Sequence, residues 1–200
     1  DGLGGMTGLQ QGGDVKGCSN DGSLIVKAGR YSCHVGGVVG TLYNYTSKVT
    51  KVAQCINKGE FEIYAPSMQA VGGIVGGIVD GGGDVPSPAE VSECENHVEL
   101  SVKVGKIAGS SGLDGFYLGG IVGSIDAQNE SVIVNAVRKC RNKGNIYATL
   151  SSDAGSNNAI KVGGICGNTR GPVTVEGNEN ASSSVTLENS RAGKMLCSVG

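Results

Sequence analysis

Polar and apolar side chains alternate along several stretches of this chain, most clearly between Glu93 and Lys103. One set of alternate positions is apolar or uncharged: Cys94, Asn96, Val98, Leu100 and Val102. The positions between them are mostly charged: Glu93, Glu95, His97, Glu99 and Lys103. Because successive residues of a strand point to opposite faces, this pattern predicts short strands with one buried face.

The same pattern recurs as the motif Cys-x-Asn-x-Gly-x-apolar. Full copies begin at Cys18, Cys55 and Cys140, and the copy at Cys94 has Val98 in place of the glycine. Since Asn and Gly tolerate the backbone angles of tight turns, each copy predicts a strand, a turn and a second strand. A fifth, degraded copy has Asn178 in the Cys position and lacks the glycine, which weakens the prediction of a corner there.

A second motif, apolar-Gly-Gly-apolar-x-Gly, precedes each copy of the first. Its five copies begin at Leu3, Val35, Val71, Leu118 and Val162. Glycine within a strand often marks a place where backbones approach closely. We expect this motif to form one further short strand with small residues at such contacts.

Spacing of the cysteines decides the architecture. Successive Cys positions lie 37, 39 and 46 residues apart, within the range of about 20 to 50 residues that is typical of solenoids and propellers. Each repeat would supply three short strands and a variable loop, and stacked repeats would bury faces that one repeat cannot bury alone. The prediction is an all-β fold, a parallel β-helix (β-solenoid) of about five repeats, with variable loops at 80–90, 105–115 and 151–158.

Composition narrows the class of protein. Glycine accounts for 36 of 200 residues, far above the usual share of about 7 %, so long helices are not expected. The net charge is −2, from 16 basic and 18 acidic residues, which gives no field to attract nucleic acid. The longest apolar run, 70–79, is too short to cross a bilayer, which takes about 20 residues. We predict one β-solenoid domain over 1–200, which is a segment of a longer repeat protein.

Repeat alignment places matching side chains in columns. Four cysteines share one position: Cys18, Cys55, Cys94 and Cys140. Five asparagines share another: Asn20, Asn57, Asn96, Asn142 and Asn180. We interpret both sets as structural columns, with the amides hydrogen-bonded along the axis because an unpaired buried polar group costs about 1–3 kcal/mol.

Disulfide and metal interpretations of the cysteines are less favoured. Adjacent rungs lie about 4.8 Å apart, near the short limit of Cα distances for disulfides, so bridges along the column would be strained. One ligand per rung does not converge into the tetrahedral site that zinc requires. No metal and no cofactor is predicted.

The sequence gives little support for a catalytic site. The two histidines, His34 and His97, occupy unlike repeat positions. The carboxylate pairs Glu60/Glu62 and Glu93/Glu95 are expected to face solvent, and no serine lies in a Gly-x-Ser-x-Gly elbow. The sequence therefore predicts that the chain is not an enzyme and has no catalytic residues.

Charged positions predict the register between repeats. The alignment places Glu95 beside Arg141, Glu93 beside Lys139, and Asp21 beside Lys58. Opposite charges on adjacent strands contribute about 0.2–1 kcal/mol per pair, so they specify register more than they stabilise. We expect Glu95 and Arg141 to be neighbours on parallel strands.

Taken together, the Gly-Gly-apolar-Val-Gly and Cys-x-Asn-x-Gly motifs resemble the GLUG-type repeats of large bacterial cell-surface and secreted proteins, including adhesin-like proteins and non-catalytic regions of some surface peptidases. The resemblance covers nearly the whole chain. It implies a right-handed parallel β-helix or a related β-solenoid, located outside the cell or at its surface, with a structural or adhesive role.

Partners follow from this interpretation. We expect neighbouring repeats, or another copy stacked end to end, and a host or cell-surface glycan or protein as ligand, with no nucleic acid and no membrane insertion. Two alternatives stay open: a glycan-degrading β-helix enzyme, and a self-assembling filament subunit that stacks head to tail.

Overall fold

The computed structural model describes residues 2–27, 33–44, 48–65, 70–80, 88–104, 115–127, 134–150, 159–189 and 197–199. All regular structure within these ranges is β-strand, in five sheets whose strands are parallel throughout. Each successive turn of the chain, or rung, adds one strand to every sheet. The protein is a parallel β-helix of five rungs, as the repeats predict.

Strands are numbered in chain order, and sheets I to V follow the order in which one rung visits them. Sheet I contains β1 (Gly2–Gly4), β6 (His34–Gly36), β11 (Ala70–Gly72), β16 (Gly115–Gly119), β21 (Ala159–Gly163) and β26 (Cys197–Val199). Sheet II contains β2 (Thr7–Gln10), β7 (Val39–Asn44), β12 (Val75–Asp80), β17 (Val122–Asp126) and β22 (Cys166–Arg170). Sheet III contains β3 (Gly13–Lys16), β8 (Thr50–Ala53), β13 (Ala89–Ser92), β18 (Asn135–Arg138) and β23 (Val173–Glu176).

The remaining two sheets carry the Cys-x-Asn motif and the strand that follows it. Sheet IV contains β4 (Ser19–Asn20), β9 (Ile56–Asn57), β14 (Glu95–Asn96), β19 (Arg141–Asn142) and β24 (Glu179–Asn180). Sheet V contains β5 (Leu24–Lys27), β10 (Phe61–Ala65), β15 (Leu100–Val104), β20 (Ile146–Leu150) and β25 (Val185–Asn189). The predicted loops at 105–115 and 151–158 lie outside the described residues almost entirely, as does most of 80–90.

Each rung has five strands, so the prediction of three is wrong. Two strands were missed. The glycine motif is not one strand, because in the third rung the chain bends at Gly73 and Ile74, between β11 and β12, and the segment before the Cys position forms a strand of its own, β13 in that rung. A single strand was expected because the motif is apolar on both sides of the glycines. The bend gives each flanking segment its own buried face.

Two separate hydrophobic cores result from this bend. Core 1 lies between sheets I and V and includes Val71, Phe116 and Leu100. Core 2 lies between sheets II and III and includes Ile78, Val91 and the buried cysteines. The cross-section of the β-helix therefore has two apolar compartments rather than one.

Glycine separates the two cores, because sheets I and II lie back to back. A Cβ at Gly76 would stand 2.5 Å from the backbone nitrogen of Val35 in the preceding rung, and one at Gly123 would stand 2.7 Å from that of Val71. Real Cβ atoms do not approach backbone this closely. The last glycine of the motif thus allows two sheets to touch through their main chains.

A left-handed residue turns each rung from sheet III to sheet IV. The five residues immediately before the Cys position have φ between 52° and 64°: Gly17, Gln54, Glu93, Lys139 and Gly177. This conformation costs a non-glycine residue roughly 1–2 kcal/mol. Glycine occupies the first and last rungs, whereas the three middle rungs hold long polar side chains in a strained backbone.

Substituting Lys139 by glycine is therefore expected to raise the free energy of unfolding by about 0.5–1 kcal/mol, since the relief of strain exceeds the entropy that glycine adds to the unfolded chain. Urea denaturation measures the change. Lys103→Gly in β15, where the backbone is an ordinary strand, is the matched control and should lower stability. Equal destabilisation by both variants would contradict the strain assigned to Lys139.

Candidate functional site

Asparagine side chains at sheet IV form a regular ladder of hydrogen bonds, called here the Asn ladder. Each Nδ2 donates to the Oδ1 of the next rung, at 2.9–3.0 Å: Asn20 to Asn57, Asn57 to Asn96, Asn96 to Asn142, and Asn142 to Asn180. Every bond points the same way, toward the C-terminal end. The structure thus brings all five predicted asparagines together in one directional chain.

Backbone groups of the adjoining corner complete the hydrogen bonds of the ladder. Gly22 N donates to Asn20 Oδ1 at 3.2 Å, and Asn96 Nδ2 also donates to Val98 O at 2.9 Å. Asn57, Asn96 and Asn142 are 0 % exposed, so every such bond replaces one that water can no longer supply. Asn180 ends the ladder on an exposed rung.

The two sequence motifs meet at this ladder. A Cβ at Gly73 would lie 2.5 Å from Asn96 Cγ and still closer to the carbonyl oxygen of Gly120. The second glycine of every motif copy is placed alike against the asparagine of its own rung: Gly5, Gly37, Gly73, Gly120 and Gly164. The second glycine leaves the space that the asparagine fills, which explains why the motifs occur together. The sequence analysis did not predict this contact. The signal for it was the strict alternation of the two motifs along the chain.

Cysteines of the Cys column (Cys18, Cys55, Cys94 and Cys140) are placed with equal regularity. In the second, third and fourth rungs each thiol lies within hydrogen-bond distance of two backbone carbonyl oxygens: that of the residue two positions earlier, at 3.2–3.3 Å, and one of the preceding rung, at 3.6 Å. Its single S–H donates to one of them or is shared between the two. Cys55, Cys94 and Cys140 are buried and Cys18 is half-buried. The six cysteines whose side chains are described are free thiols: Cys18, Cys33, Cys55, Cys94, Cys140 and Cys166.

Neighbouring thiols and burial change the acidity of this column. Hydrogen bonds with the Cys140 and Cys55 thiols, together with burial, raise the pKa of Cys94 well above its ordinary value. Outside the column, in β22, burial first and then the Cys140 thiol raise the pKa of Cys166 to about 12. Both shifts favour the protonated thiol over the thiolate.

In the fifth rung Asn178 takes the place of the column cysteine and keeps the corner. Its Oδ1 accepts from Cys140 N at 2.8 Å and its Nδ2 donates to Val137 O at 2.8 Å. Strands β24 and β25 pair with the preceding rung in the same register as elsewhere. The fifth corner, which the degraded motif left in question, is therefore present.

Charged side chains follow the predicted register but choose different partners. Glu95 and Arg141 are neighbours on parallel strands, as predicted, and Lys58 Nζ lies 3.8 Å from Asp21 Oδ1. Arg141, however, forms a two-pronged ion pair with Glu179 at 3.0 Å on each prong. Glu95 binds Lys143 instead.

Reversing Arg141 to Glu is expected to lower the free energy of unfolding by about 1 kcal/mol, because the exposed pair with Glu179 is lost and three carboxylates then follow one another along the axis. A second change, Glu179→Lys, should restore most of the loss. Glu95→Lys should restore less, since it abolishes the bond with Lys143. Denaturant titration of the three variants checks this order, and better rescue by Glu95→Lys would contradict it.

The carboxylate pairs considered for catalysis lie on the outer surface. Glu60 and Glu62 are exposed, and Glu93 accepts a hydrogen bond from Gln54 Nε2 at 2.9 Å. Glu95 accepts hydrogen bonds from Lys143 and His97, which hold the pKa of this carboxyl below its usual value. The structure places Glu95 in a cluster with a cation rather than opposite a second free carboxylate.

His34 lies apart from this cluster, in a groove of about 700 Å³ at the N-terminal rungs of sheets I and II. Its Nδ1 is 3.1 Å from Thr41 Oγ1, and burial lowers the pKa of the imidazole to about 4. Leu9 and Tyr43 also line the groove. His34 belongs to sheet I and His97 follows sheet IV, so the two histidines form no common site.

Among the described residues, no group of three or more His, Cys, Asp or Glu is arranged to hold a metal ion. Nor does the described part of the chain contain a helix that is long and apolar enough to cross a membrane. Comparison with family models, with curated proteins and with solved structures gives no match to this chain.

Proposed function

We propose that this chain is a structural and adhesive β-helix module of an extracellular or cell-surface protein, of the kind to which GLUG-type repeats belong, and that it has no catalytic centre. The observation that carries the proposal is the stack of equivalent rungs, whose parallel strands pair in register from each rung to the next.

Three equivalent positions show the difference between the first and second rungs. Leu3, Met6 and Leu9 are 39 %, 51 % and 52 % exposed. Their counterparts in the second rung are Val35, Val38 and Thr41, which are at most 5 % exposed. Leu3 and Met6 therefore present positions of core 1 and core 2 to solvent, whereas Leu9 lines the groove beside His34. Unpaired strand edges lie beside them.

Such an end favours contact with another β-rung. Open solenoid ends need a cap or a neighbour to remain soluble, and exposed apolar surface with free backbone groups is a typical interaction surface. We propose that neighbouring repeats, or another copy end to end, cover this rung. An extended array built this way would serve as a spacer that presents its outer faces to a glycan or protein.

Sedimentation velocity at increasing protein concentration tests the proposal. We expect the chain to self-associate, and Met6→Lys to suppress association because it places a charge in the uncovered core. Ile25→Lys is the control, since Ile25 is at least as exposed as Met6 (60 % against 51 %) but points away from the core on sheet V. A chain that stays monomeric at every concentration would contradict the proposal that another rung covers the first one. Equal effects of the two variants would contradict it as well.

Glycan-binding and glycan-cleavage assays distinguish the proposed structural module from the alternative, a glycan-degrading enzyme. The double variant Glu93→Gln with Glu95→Gln should leave any glycan binding largely intact, because these carboxylates are occupied by Gln54, Lys143 and His97. The unchanged chain should show no turnover of acidic or neutral polysaccharides. Cleavage that the double variant abolishes would overturn the proposal in favour of a glycan-degrading enzyme.

A further inference from the structure

Side chains between the facing surfaces of sheets I and II differ from rung to rung, unlike those of the cores and of the Asn ladder. In sheet I, the positions in register with His34 hold four different residues: Gly2, Ala70, Tyr117 and Lys161. In sheet II, the positions in register with Thr41 hold four others: Leu9, Gly77, Ser124 and Asn168. Positions that the fold itself requires repeat, as the asparagines do. These two columns are therefore the part of each rung that can be adapted to a ligand.

Contacts across this interface join the two columns at the C-terminal rungs. Lys161 Nζ donates to Asn168 Oδ1 at 2.6 Å and lies 5.5 Å from the centroid of the Tyr117 ring. At the N-terminal rungs, where Gly2 has no side chain, the same interface opens into the groove of about 700 Å³ described above, called here the His34 groove. This volume falls within the range of about 300–1,000 Å³ that is typical of small-molecule sites.

Backbone and hydroxyl groups fix the imidazole of His34 in the groove. A Cβ at Gly77 would stand 2.7 Å from His34 Cγ, so the ring packs here only because residue 77 is glycine. Its Nδ1 lies 3.1 Å from Oγ1 of Thr41, a residue that is 5 % exposed. Since burial lowers the pKa of the imidazole to about 4, the ring is neutral at pH 7 and has one donor and one acceptor nitrogen. A polar group that is already held in place loses little freedom when a ligand binds.

The lining of the His34 groove combines neutral polar groups with apolar surface. Gln11, His34 and Thr41 supply hydrogen-bonding groups, and the apolar surface comes from Leu9, Tyr43 and Val79. None of the described residues that line the groove is charged at pH 7, so a charged ligand would lose its hydration without gaining an opposite charge.

A sugar ring has the same two properties as this lining. Its hydroxyl groups donate and accept hydrogen bonds, and its C–H faces pack against apolar and aromatic side chains. We infer that the His34 groove binds a neutral saccharide, with His34 as its polar anchor and Leu9 as part of its apolar wall. This inference rests on the adhesive role proposed above, for which it names the ligand class and the site.

Nuclear magnetic resonance titration of the full chain with maltotriose, mannotriose, chitotriose and the acidic sialyllactose tests the site. We expect at least one of the neutral trisaccharides to shift the side-chain resonances of His34, and sialyllactose to leave them unchanged. His34→Ala should weaken the binding about tenfold, which corresponds to the loss of one hydrogen bond. Leu9→Lys should weaken it as well, and because Leu9 is exposed this variant serves as the test if His34→Ala fails to fold.

His97→Ala and Ile25→Lys are the matched controls, since they change a histidine and an exposed apolar residue on other surfaces. Both should bind the saccharide like the unchanged chain. Saccharide binding that neither His34→Ala nor Leu9→Lys weakens would overturn the inference and leave the adhesive role in place. A His34 groove that responds to none of the four saccharides, only to sialyllactose, or only to trialanine would also overturn it, and in the last case the groove would belong to a peptide. Cleavage of a saccharide would instead contradict the proposed function.

Discussion

Replacing Gly73 by alanine should lower the free energy of unfolding by more than about 3 kcal/mol, a large part of the roughly 5–15 kcal/mol that holds a domain of this kind together. The added Cβ would stand 2.5 Å from Asn96 Cγ and closer still to the carbonyl oxygen of Gly120. Backbone of the next rung lies on one side and the Asn ladder on the other. Neither can yield without breaking a hydrogen bond, so the corner between β11 and β12 should not form.

Gly22→Ala is the control for this prediction. A Cβ at Gly22 would meet only Asn20 Oδ1, at an ordinary 3.7 Å, so the variant should unfold at nearly the same denaturant concentration as the unchanged chain. Thermal and urea unfolding monitored by circular dichroism measure both variants. A Gly73→Ala chain as stable as Gly22→Ala would mean that the glycine motif does not abut the ladder.

Substituting Asn96 by alanine is the second change with a large expected effect, about 3–5 kcal/mol. Asn96 accepts from Asn57 Nδ2 and donates to Asn142 Oδ1 and to Val98 O. Without the Asn96 side chain, Asn57 Nδ2 loses its acceptor and Asn142 Oδ1 loses its donor. Each buried polar group left unpaired costs about 1–3 kcal/mol. The cavity left by the amide adds to the loss.

Asn180→Ala removes a residue of the same type from the end of the same ladder. Asn180 is exposed and accepts one ladder bond, from Asn142, so water can replace what is lost and the cost should stay below about 1 kcal/mol. Comparison of the two denaturation midpoints therefore measures the ladder rather than asparagine in general. Equal effects at both positions would contradict an internal, cooperative ladder.

Much of the fold could be predicted because the same pattern recurs in successive repeats, which settles assignments that a single short segment leaves open. Alternation in the Cys-x-Asn segments indicates strands, the repeat spacing indicates stacking, and matching slots give a register that pairs Glu95 with Arg141 as the structure does. A shift by one residue would turn every charge inward. The pattern therefore specifies register even though the individual charges contribute little.

The number of strands and the two cores could not be predicted in the same way. Glycine pairs are compatible with a strand, a close contact and a bend, and Gly73 proves to be both a bend and a contact. The distinction depends on Asn96, which comes from a different part of the rung. The residues around a glycine pair do not identify the distant side chain that fills the space beside it; only the alternation of the two motifs along the chain points to the asparagine.

Ion-pair partners were also beyond the reach of the pattern. Arg141 pairs in register with Glu95 on one neighbouring strand and with Glu179 on the other. An ion pair with either carboxylate is compatible with that register. Lys143 decides between them, because it binds Glu95 and leaves Arg141 to Glu179. A long side chain such as Lys143 reaches a residue on the adjacent rung that is two positions away from its register partner. Ion pairing is therefore decided by competition among several nearby charges and not by the register alone.

Nuclear Overhauser spectroscopy of the side-chain amides tests the stacked-rung account most directly. The Nδ2 protons of Asn57, Asn96 and Asn142 should exchange slowly with deuterated water and should show cross-peaks from each residue to the next along the ladder, since adjacent rungs lie about 4.8 Å apart. Rapid exchange of these protons, or cross-peaks that join Asn57 to Asn142 while bypassing Asn96, would contradict the parallel, in-register β-helix.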